Sequence, residues 1–355
     1  MIAPTIAYKA SSVRLKLLNA FKKRPKKFVT TVSLKMESGL SEKKLMETLK
    51  KMKAMGYKFK FSPRKGFYLN SQPDFLLPEA ILCGLSTQKI GKFVYGYQKL
   101  GSTNDRALFL GERGAREGTI VTTDEQTQGR GRRGRNWHSV SGKSLTFSLI
   151  LRPNLLPDEV AELTLASAVA VVLTLQEWKL KAGIKWPNDI FLGKRKVCGI
   201  LNETRFKQDK IAFAVIGIGI NLNQTIDDFP SEIKGTATSV FRYSGKKINR
   251  VLFLQRLLLC LENVLHWIDQ RQFHRVLTEW RRQSVLLNRQ IRILQPGRVF
   301  FGQALDVDEQ GALLVRNDFG MIERVLAGDV ELLRISNRRL GHGKKSRRSF
   351  HDLGN

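Results

Sequence analysis

The chain has 355 residues, of which 42% are apolar and 9% aromatic, so it is long enough for two or three domains and too apolar to be wholly disordered. Lys and Arg number 61 against 31 Asp and Glu, and the net charge of +30 indicates an anionic partner such as nucleic acid, a nucleotide or an acidic protein. The longest apolar run, residues 163–175, is too short to span a bilayer and predicts a buried helix.

The three cysteines, Cys83, Cys198 and Cys260, lie far apart, and no two have the spacing of a metal site. An odd number of separated cysteines favours reduced thiols, and the N-terminus lacks the apolar core of a secretory signal. We therefore expect a cytoplasmic protein with no membrane segment and no dedicated metal site.

Half of the excess charge lies in the first fifth of the chain. Residues 1–72 hold eighteen Lys and Arg against three Asp and Glu, a net charge of +15, and residues 334–355 add +6. The remaining +9 belongs to a long middle segment of ordinary globular composition. The polar, aperiodic tail 336–355 is predicted to be disordered.

Residues 1–72 are predicted to form three helices and a hairpin. Apolar residues recur at helical spacing over 13–21 and 45–55, and a second short helix is predicted over 29–36. Ser41 is a suitable N-cap for the basic third helix, 42–55. Residues 57–69 alternate around a turn at 63–66, which predicts a hairpin. These parts are typical of a winged helix-turn-helix.

The third helix and the hairpin tip are the predicted DNA contacts. The helix would enter a major groove with its lysines facing outward, and the tip would contact phosphates. The alternative is a small helical domain whose Lys-rich face is only solvated, but the local net charge of +15 favours DNA. The predicted contacts are Lys43, Lys44, Lys50, Arg64 and Lys65.

Glycines and arginines alternate in residues 129–135, between strand-like runs at 118–123 and 144–151. The glycines have the GxGxxG spacing of a dinucleotide site, but that site needs a helix to begin there, and a polar loop follows instead. The later SGKS at 141–144 is not a phosphate-binding P-loop, because Trp137 stands where that motif requires glycine.

We predict instead a mobile loop in which backbone N–H groups and arginines bind phosphate or carboxylate. An RGG-like RNA contact is the weaker alternative, because the pattern occurs once within a folded context. Trp137 fits base stacking and core packing equally well. The arginines of the loop are Arg130, Arg132, Arg133 and Arg135.

Two further stretches point to a ligand. Residues 184–203 predict a hairpin after Pro187, with Lys196 at its mouth; a lone Lys there is usually solvated, but beside an arginine-glycine loop an anion-binding role becomes credible. Residues 214–223 predict a buried strand, whose Gly217 and Gly219 suggest that a ligand lies close to the backbone.

Five motifs, in this order, resemble the biotin protein ligases, and the flanking segments resemble the bifunctional members that also repress the biotin operon. The motifs are STN at 102–104, GRGRRGRNW at 129–137, KWPND at 185–189, KVCGIL at 196–201 and GIGIN at 217–221. Two departures are Gly101, where the family usually has Asp, and the lack of a Trp in the region that follows Asn223, where some members place an aromatic over the adenylate and Phe229 is the candidate.

The resemblance implies an α+β protein with three domains. These are an N-terminal winged helix-turn-helix (1–72), a central α/β catalytic domain of the biotin/lipoate-ligase type with a mixed sheet (73–286) and a small C-terminal SH3-like β-barrel (287–335). Short strand-like runs after residue 288, with turns at 296–297 and 310–311, fit such a barrel.

The resemblance also implies a two-step reaction with biotin, ATP and Mg²⁺. The carboxylate of biotin attacks the α-phosphorus of ATP and forms biotinyl-5′-AMP and pyrophosphate. A lysine of a biotin carboxyl carrier protein, such as that of acetyl-CoA carboxylase, then attacks the mixed anhydride and releases AMP. Operator DNA and a second copy of the chain, in a homodimer, are the other implied partners.

By the same resemblance, Lys196 bridges the carboxylate and the α-phosphate, Arg132 retains the anionic intermediate, and Asp189 deprotonates the acceptor amine. A capping role is the alternative for Asp189. The implied biotin contacts are Ser102, Thr103, Asn104, Gln126, Gly129, Arg130, Arg132, Arg133, Gly134, Lys196 and Gly199. The implied contacts to ATP and the adenylate are Arg132, Trp137, Asn188, Lys196, Asn221 and Arg334.

Three other functions compete with this interpretation. A lipoate–protein ligase shares the logic, but GRGRRGR argues against it. A DNA-binding sensor of biotinyl-AMP with weak ligase activity is opposed by the intact Lys196, Asp189 and Arg132. A general RNA-binding protein would show salt-dependent binding without ATP turnover.

Overall fold

The fold is that of a computed structural model, which describes residues 6–8 and 11–333. The tail predicted to be disordered and the adenylate contact predicted for Arg334 lie outside the described residues.

The N-terminal unit contains the predicted helices and hairpin. Ser11, Thr30 and Ser41 each cap a helix by accepting a hydrogen bond from the backbone N–H three residues later. Leu34 and Leu45 are fully buried between the helices. The winged helix-turn-helix assignment itself stays a prediction. In chain order the elements are β1 (Ile6–Ala7), α1 (Ser12–Lys22), α2 (Thr31–Ser38), α3 (Glu42–Ala54), β2 (Lys58–Ser62) and β3 (Gly66–Ser71).

The central unit is built on an eight-stranded mixed sheet with the strand order β1-β4-β5-β6-β10-β9-β8-β7. Its elements are α4 (Pro78–Leu82), β4 (Val94–Leu100), α5 (Thr103–Glu112), β5 (Ile120–Gln126), β6 (Ser144–Leu151), α6 (Ala161–Glu177), β7 (Ala182–Lys185), β8 (Asp189–Leu192), β9 (Arg195–Lys207), β10 (Lys210–Asn221), α7 (Val240–Ser244), α8 (Arg250–Asp269) and α9 (Phe273–Gln283).

Within this sheet β4 and β5 are parallel and the other pairs are antiparallel. The strand β1 pairs with β4, so residues 6–7 lie on the central sheet before the chain leaves to form the N-terminal unit. The predicted hairpin around Gly193 is confirmed as β8 and β9. The domain boundaries at 72 and 286 stay predictions.

Side chains alternate between the two faces of the sheet and form two separate cores. Ile120 of β5 belongs to the larger cluster, which α6, α8 and α9 cover, whereas its neighbour Val121 belongs to a smaller cluster under α5. The apolar run at 163–175 is confirmed as a buried helix, α6. Among the described residues, α8 has the length and apolar composition of a membrane span, and half of that window is buried inside the protein.

The C-terminal unit is a five-stranded antiparallel sheet with the order β14-β13-β12-β11-β15. The predicted turns occur at Gly297 and Gly311, whose φ angles of 71° and 82° are left-handed. Trp186, which precedes β8, donates its indole N–H to the carbonyl oxygen of Gly311 at 3.0 Å and joins this unit to the central one. The SH3-like assignment stays a prediction. The strands are β11 (Gln290–Gln295), β12 (Arg298–Val307), β13 (Leu313–Asn317), β14 (Ile322–Val325) and β15 (Asp329–Leu332).

A fully buried arginine, Arg250 at the start of α8, holds several segments together. Its guanidinium lies 2.8 Å from the carboxylate of Asp124 on β5, which is also fully buried. It also lies 3.3 Å from the carboxylate of Asp74, after β3, and donates to the carbonyl oxygen of Ser144 at 3.0 Å. Tyr8 donates its hydroxyl to Asp124. Both chain segments that flank the N-terminal unit therefore meet at one buried ion pair.

Arg250→Ala is expected to lower the free energy of unfolding by about 3–5 kcal/mol, because it leaves the buried carboxylate of Asp124 without its cation. Burial raises the pKa of Asp124, and Arg250 opposes that rise. A carboxyl whose folded pKa is raised loses stability as the pH rises through that pKa. The deficit should therefore be larger at about pH 8 than at about pH 5. Urea unfolding followed by tryptophan fluorescence measures both.

The matched control is Arg256→Ala on the same helix, which removes an exposed ion pair with Glu177. Its expected cost is about 0–1 kcal/mol. Equal losses in the two variants would show that the buried pair has no special role.

Candidate active site

A cavity of about 430 Å³ lies between the central sheet and the loop 127–143, with one side formed by the C-terminal unit. Most of the predicted site residues line it, although they come from six separate segments of the chain. Gly129, Arg133 and Gly134 are not among the lining residues, and their ligand contacts stay predictions. The predicted residues that line it are Ser102, Thr103, Asn104, Gln126, Arg130, Arg132, Trp137, Asn188, Asp189, Lys196, Gly199 and Asn221.

Polar side chains at the start of α5 form one end of the cavity. Ser102 caps α5, and Thr103 donates from its N–H and its hydroxyl to Oε1 of Gln126, at 2.8 and 3.0 Å. Ser148 donates to Oδ1 of Asn104 at 2.6 Å. These groups are buried and hold one another in place, so this end presents fixed donors and acceptors to a neutral polar group.

The glycines of β10 line the cavity and also make room for side chains of the protein. A Cβ at Gly217 would lie 2.1 Å from Oδ1 of Asn104, and a Cβ at Gly219 would lie 2.3 Å from Cε2 of Trp137. The expectation that a ligand lies close to the backbone at these glycines stays a prediction. The missing side chains let Asn104 and Trp137 reach the cavity floor.

Trp137 both packs against the sheet and faces the cavity, so its position is compatible with core packing and with base stacking, the two roles that the sequence left open. Its ring packs against Gly219, and it also forms part of the cavity wall. Lys196 lies 5.8 Å from the ring centroid. The buried indole N–H has no acceptor among the described residues, so it is available to a ligand.

Three of the four loop arginines are paired with carboxylates. Arg130 donates to Asp105 at 2.8 Å and to Glu203 at 3.2 Å, and these pairs raise its pKa. Arg133 and Arg135 both contact Asp329 of β15, the former at 3.2 Å. The expected mutual repulsion of the arginines is therefore largely offset by protein carboxylates. The C-terminal unit holds the loop from the far side.

Arg132 differs from its neighbours. It contacts only neutral oxygens, Oδ1 of Asn188 at 3.3 Å and the carbonyl of Gly328 at 3.5 Å, and no carboxylate pairs with it in the described part of the chain. It is partly buried in the cavity, and this burial lowers its pKa. A desolvated guanidinium without a counter-ion is a strong site for an anion.

Lys196 and Asp189 form an ion pair of 2.6 Å on adjacent strands. Asp189 begins β8 and caps no helix, so the capping alternative has no counterpart in the structure. Lys185 of β7 lies opposite Asp189 and also lines the cavity, where burial lowers its pKa. An amine, a carboxylate and a second amine thus stand side by side in the cavity.

The cavity is also lined by residues that the sequence analysis did not assign to the site or, for Phe229, named only as a candidate; three of them bear on the chemistry. Lys185 is the first residue of the KWPND motif, so the sequence could have indicated it as a site residue. Phe229 is 3% exposed and lines the cavity, in agreement with its candidacy as the aromatic on this wall. Asp329 had no signal at all, because it lies far from the loop in sequence.

The arrangement is suited to joining two anions. Cations from the loop and from β9 enter one enclosed space, where electrostatic interactions are stronger than in bulk water. A carboxylate adjoins the β9 lysine and can take part in proton transfer.

Comparisons with known proteins agree with this geometry. The biotin/lipoate A/B protein ligase family matches residues 95–221, and the biotin protein ligase C-terminal domain matches residues 286–333. The bifunctional ligase/repressor BirA of Bacillus subtilis is 34% identical over 323 residues, which cover 91% of this chain and 99% of that protein. BirA of Escherichia coli is 28% identical over 83% of this chain and 89% of its own length.

The structure of a biotin protein ligase from Aquifex aeolicus, in complex with biotin and ATP, is similar with a TM-score of 0.59 and 30% identity. The match covers 68% of this chain and 99% of that one. The biotin ligase fold, with its mixed central sheet and antiparallel C-terminal sheet, is thus confirmed. The chain belongs to the biotin protein ligase family, among the bifunctional ligase/repressors.

Proposed function

We propose that the protein joins biotin to ATP, forming biotinyl-5′-AMP, and transfers the biotinyl group to a lysine of a biotin carboxyl carrier protein, such as that of acetyl-CoA carboxylase. The observation that carries this proposal is the unpaired Arg132 opposite the Lys196–Asp189 pair in one cavity. Incubation with labelled biotin, ATP and a carrier domain tests it, and the same assay with lipoate tests the competing ligase.

The first step needs charge neutralisation and no general base. A carboxylate with a pKa of about 4 is already ionised at neutral pH, so the obstacle is its approach to an anionic phosphate. Lys196 and Arg132 both line the cavity; Lys196 would contact both groups, and Arg132 would hold the α-phosphate of the product. The bond from biotin oxygen to phosphorus forms as the bond to pyrophosphate breaks.

The polar end at α5 suits the ureido ring of biotin, which presents one carbonyl and two N–H groups. Ser102, Thr103 and Gln126 supply fixed partners there. The adenylate would extend toward Asn188, Trp137 and Asn221, where the unpaired indole N–H offers a hydrogen bond. This orientation puts the carboxylate end of biotin beside Lys196.

The second step requires a deprotonated amine, because a free lysine has a pKa of about 10.4. Asp189 is paired with Lys196, beside which the mixed anhydride would lie, so Asp189 is the carboxylate near the reacting carbon. It would accept the proton of the acceptor amine as the amine attacks the carbonyl carbon and AMP leaves. The proton thus goes to Asp189, and AMP leaves from the carbonyl carbon that the amine attacks.

Mg²⁺ is expected with ATP, but the described residues contain no group of three or more His, Cys, Asp or Glu side chains that could hold a metal ion. The carboxylate of Asp189 is already paired with Lys196. We propose that the ion arrives on the phosphates of ATP.

We also propose that the N-terminal unit binds operator DNA as a biotin-responsive repressor. The outward lysines of α3 and the hairpin tip are exposed, as a phosphate-binding surface requires; they are Lys43, Lys44, Lys50, Arg64 and Lys65. β9 pairs with β8 only as far as Gly199, so the second half of β9 has no strand partner on that side among the described residues. This edge supports a homodimer. A cytoplasmic location follows from these partners.

The roles of Lys196 and Asp189 are separable by substitution. Lys196→Ala should slow formation of biotinyl-AMP on the order of 10²–10³-fold, because the two anions then meet without their bridging cation. Asp189→Asn should affect that step less but slow transfer on the order of 10²–10⁴-fold. Residual transfer by Asp189→Asn should rise with pH, since the amine then loses its proton to solvent. Pyrophosphate release and label transfer measure the two steps.

Lys207→Ala, which removes an exposed lysine from the end of the same strand, is the matched control and should leave both steps unchanged. Transfer by Asp189→Asn at the wild-type rate would mean that Asp189 is not the base.

The contact of Asp329 with the loop should retain the intermediate. Asp329→Asn weakens the pairs with Arg133 and Arg135, so the loop should be cleaved faster by protease, and biotinyl-AMP should leak about tenfold faster and label bystander lysines. Glu331→Gln on the same strand removes only an exposed pair with Arg292 and is the control. Equal leakage from both variants would exclude a latch at Asp329.

DNA binding is predicted to depend on the ligand. A ligand that favours the dimer also favours a two-fold-symmetric operator, by the same free energy in both directions. Titration of an operator fragment and a scrambled duplex, with and without biotin plus ATP, should show tighter operator binding only with ligand. The double variant Lys44→Ala, Lys50→Ala should weaken binding to both duplexes. The slope of the logarithm of the binding constant against the logarithm of the salt concentration should fall in magnitude by about one for each lost phosphate contact. Equal affinities in all states would contradict the repressor role.

A further inference from the structure

A second cavity, of about 580 Å³, lies at the junction of the N-terminal and central units. One wall is the end of α1 and the loop that follows it, and another is the end of β3 with the linker to residue 73. The third wall comes from α4 and the first turns of α8. It shares no lining residue with the candidate active site, so it is a separate space.

The charge of this cavity is entirely positive. Lys22, Arg24, Lys26 and Lys27 line it, and no Asp or Glu does. Arg24 is offset by Glu37 at 2.6 Å. Within residues 6–8 and 11–333, no carboxylate forms an ion pair with the three lysines. Three ammonium groups therefore face one space without counter-ions, which indicates an anionic occupant.

Lys22 reaches the end of the α4 wall at Gly84, a residue that does not itself line the cavity. Gly84 follows α4 with φ of +100°, and a Cβ there would lie 1.6 Å from Nζ of Lys22. The ammonium thus occupies the space that any other residue would fill. Gln255 of α8 fixes this wall, because its amide donates to the carbonyl oxygens of Ala80 and Cys83 at 3.1 and 2.9 Å.

The remaining lining is substantially apolar. Phe21, Tyr68 and Leu252 contribute to it, and Leu252 is 51% exposed although it is a large apolar residue. Inorganic ions gain nothing from such a surface, whereas the flat ring of an organic phosphate buries apolar area there. A duplex is too wide for a cavity of this size. The lining therefore fits a small anion with an apolar part.

We propose that this junction cavity binds an organic phosphate of nucleotide size, with its phosphates on Lys22, Lys26 and Lys27 and its ring against Tyr68 and Leu252. Because both units contribute walls, the bound molecule would join them and favour one placement of the DNA-binding unit. The site is independent of the ligase chemistry, so it stands or fails apart from the proposed function.

The experiment first fills the active site with a non-hydrolysable biotinyl-adenylate analogue, so that nucleotide cannot bind there. Equilibrium dialysis with labelled ADP then measures the junction cavity. One bound ADP per chain is expected; unlabelled pyrophosphate should displace it weakly, and adenosine should not displace it. Absence of ADP binding, or displacement by adenosine as effective as by ADP, would overturn the proposal.

The triple variant Lys22→Ala, Lys26→Ala, Lys27→Ala should lose at least about tenfold in ADP affinity, about 1.4 kcal/mol. Its matched control, Lys16→Ala, Lys58→Ala, Lys60→Ala, removes the same charge from the same unit outside the cavity and should bind ADP normally. Equal losses in the two would show diffuse attraction rather than a site. Ligase turnover should be unchanged in both variants, which separates this result from failure of the proposed function.

Discussion

The proposed chemistry depends on a cation, Arg132, that pairs with no carboxylate in the described part of the chain. A carboxylate and a phosphate repel each other, and removal from bulk water into a cavity makes that repulsion stronger. The chain carries a large excess of basic residues, yet carboxylates near the cavity neutralise Arg130, Arg133 and Arg135. Among the described residues, Arg132 contacts neutral oxygens alone. What matters is therefore the distribution of charge around the loop and not its amount.

The carboxylates that create this distribution come from different parts of the fold. Asp105 is on α5, Glu203 is on β9, and Asp329 is on β15 of the C-terminal unit. Among the described residues, the C-terminal unit thus contacts the loop of the active site through Asp329, which also lines the cavity. Loss of its contact with the loop would release Arg133 and Arg135 and restore the repulsion among the arginines. This is a physical reason for a ligase to carry a small additional sheet.

The floor of the cavity depends on two residues without side chains, Gly217 and Gly219. Gly217 and Gly219 make room for Asn104 and Trp137, which then present polar and aromatic groups at the level of the sheet. A strand with ordinary side chains at these positions would push both residues outward. The buried ion pair of Arg250 and Asp124 lies nearby in the fold, and it fastens β5 to the helices that cover the other face. The packing of Asn104 and Trp137 on the glycines and the ion pair of Arg250 and Asp124 therefore both stabilise the sheet that carries the site.

The sequence by itself determined the elements and most of the site. Caps and apolar spacing predicted α1 to α3, alternation around residues 63–66 predicted the hairpin, and the motifs placed Lys196, Asp189 and Arg132 together. These signals are local, because hydrogen bonding within a turn of helix or a hairpin involves residues a few positions apart.

Only the tertiary structure decided which groups pair. Asp329 and Arg133 are separated by almost two hundred residues, and no pattern along the chain joins them. The same holds for Tyr8 and Asp124, and for the lysines of the junction cavity, whose opposite wall comes from α8. The glycines of β10 show the limit most clearly. The sequence suggested a ligand close to the backbone there, but only the packing of the loop and of α5 against the sheet showed that Trp137 and Asn104 also lie against these glycines.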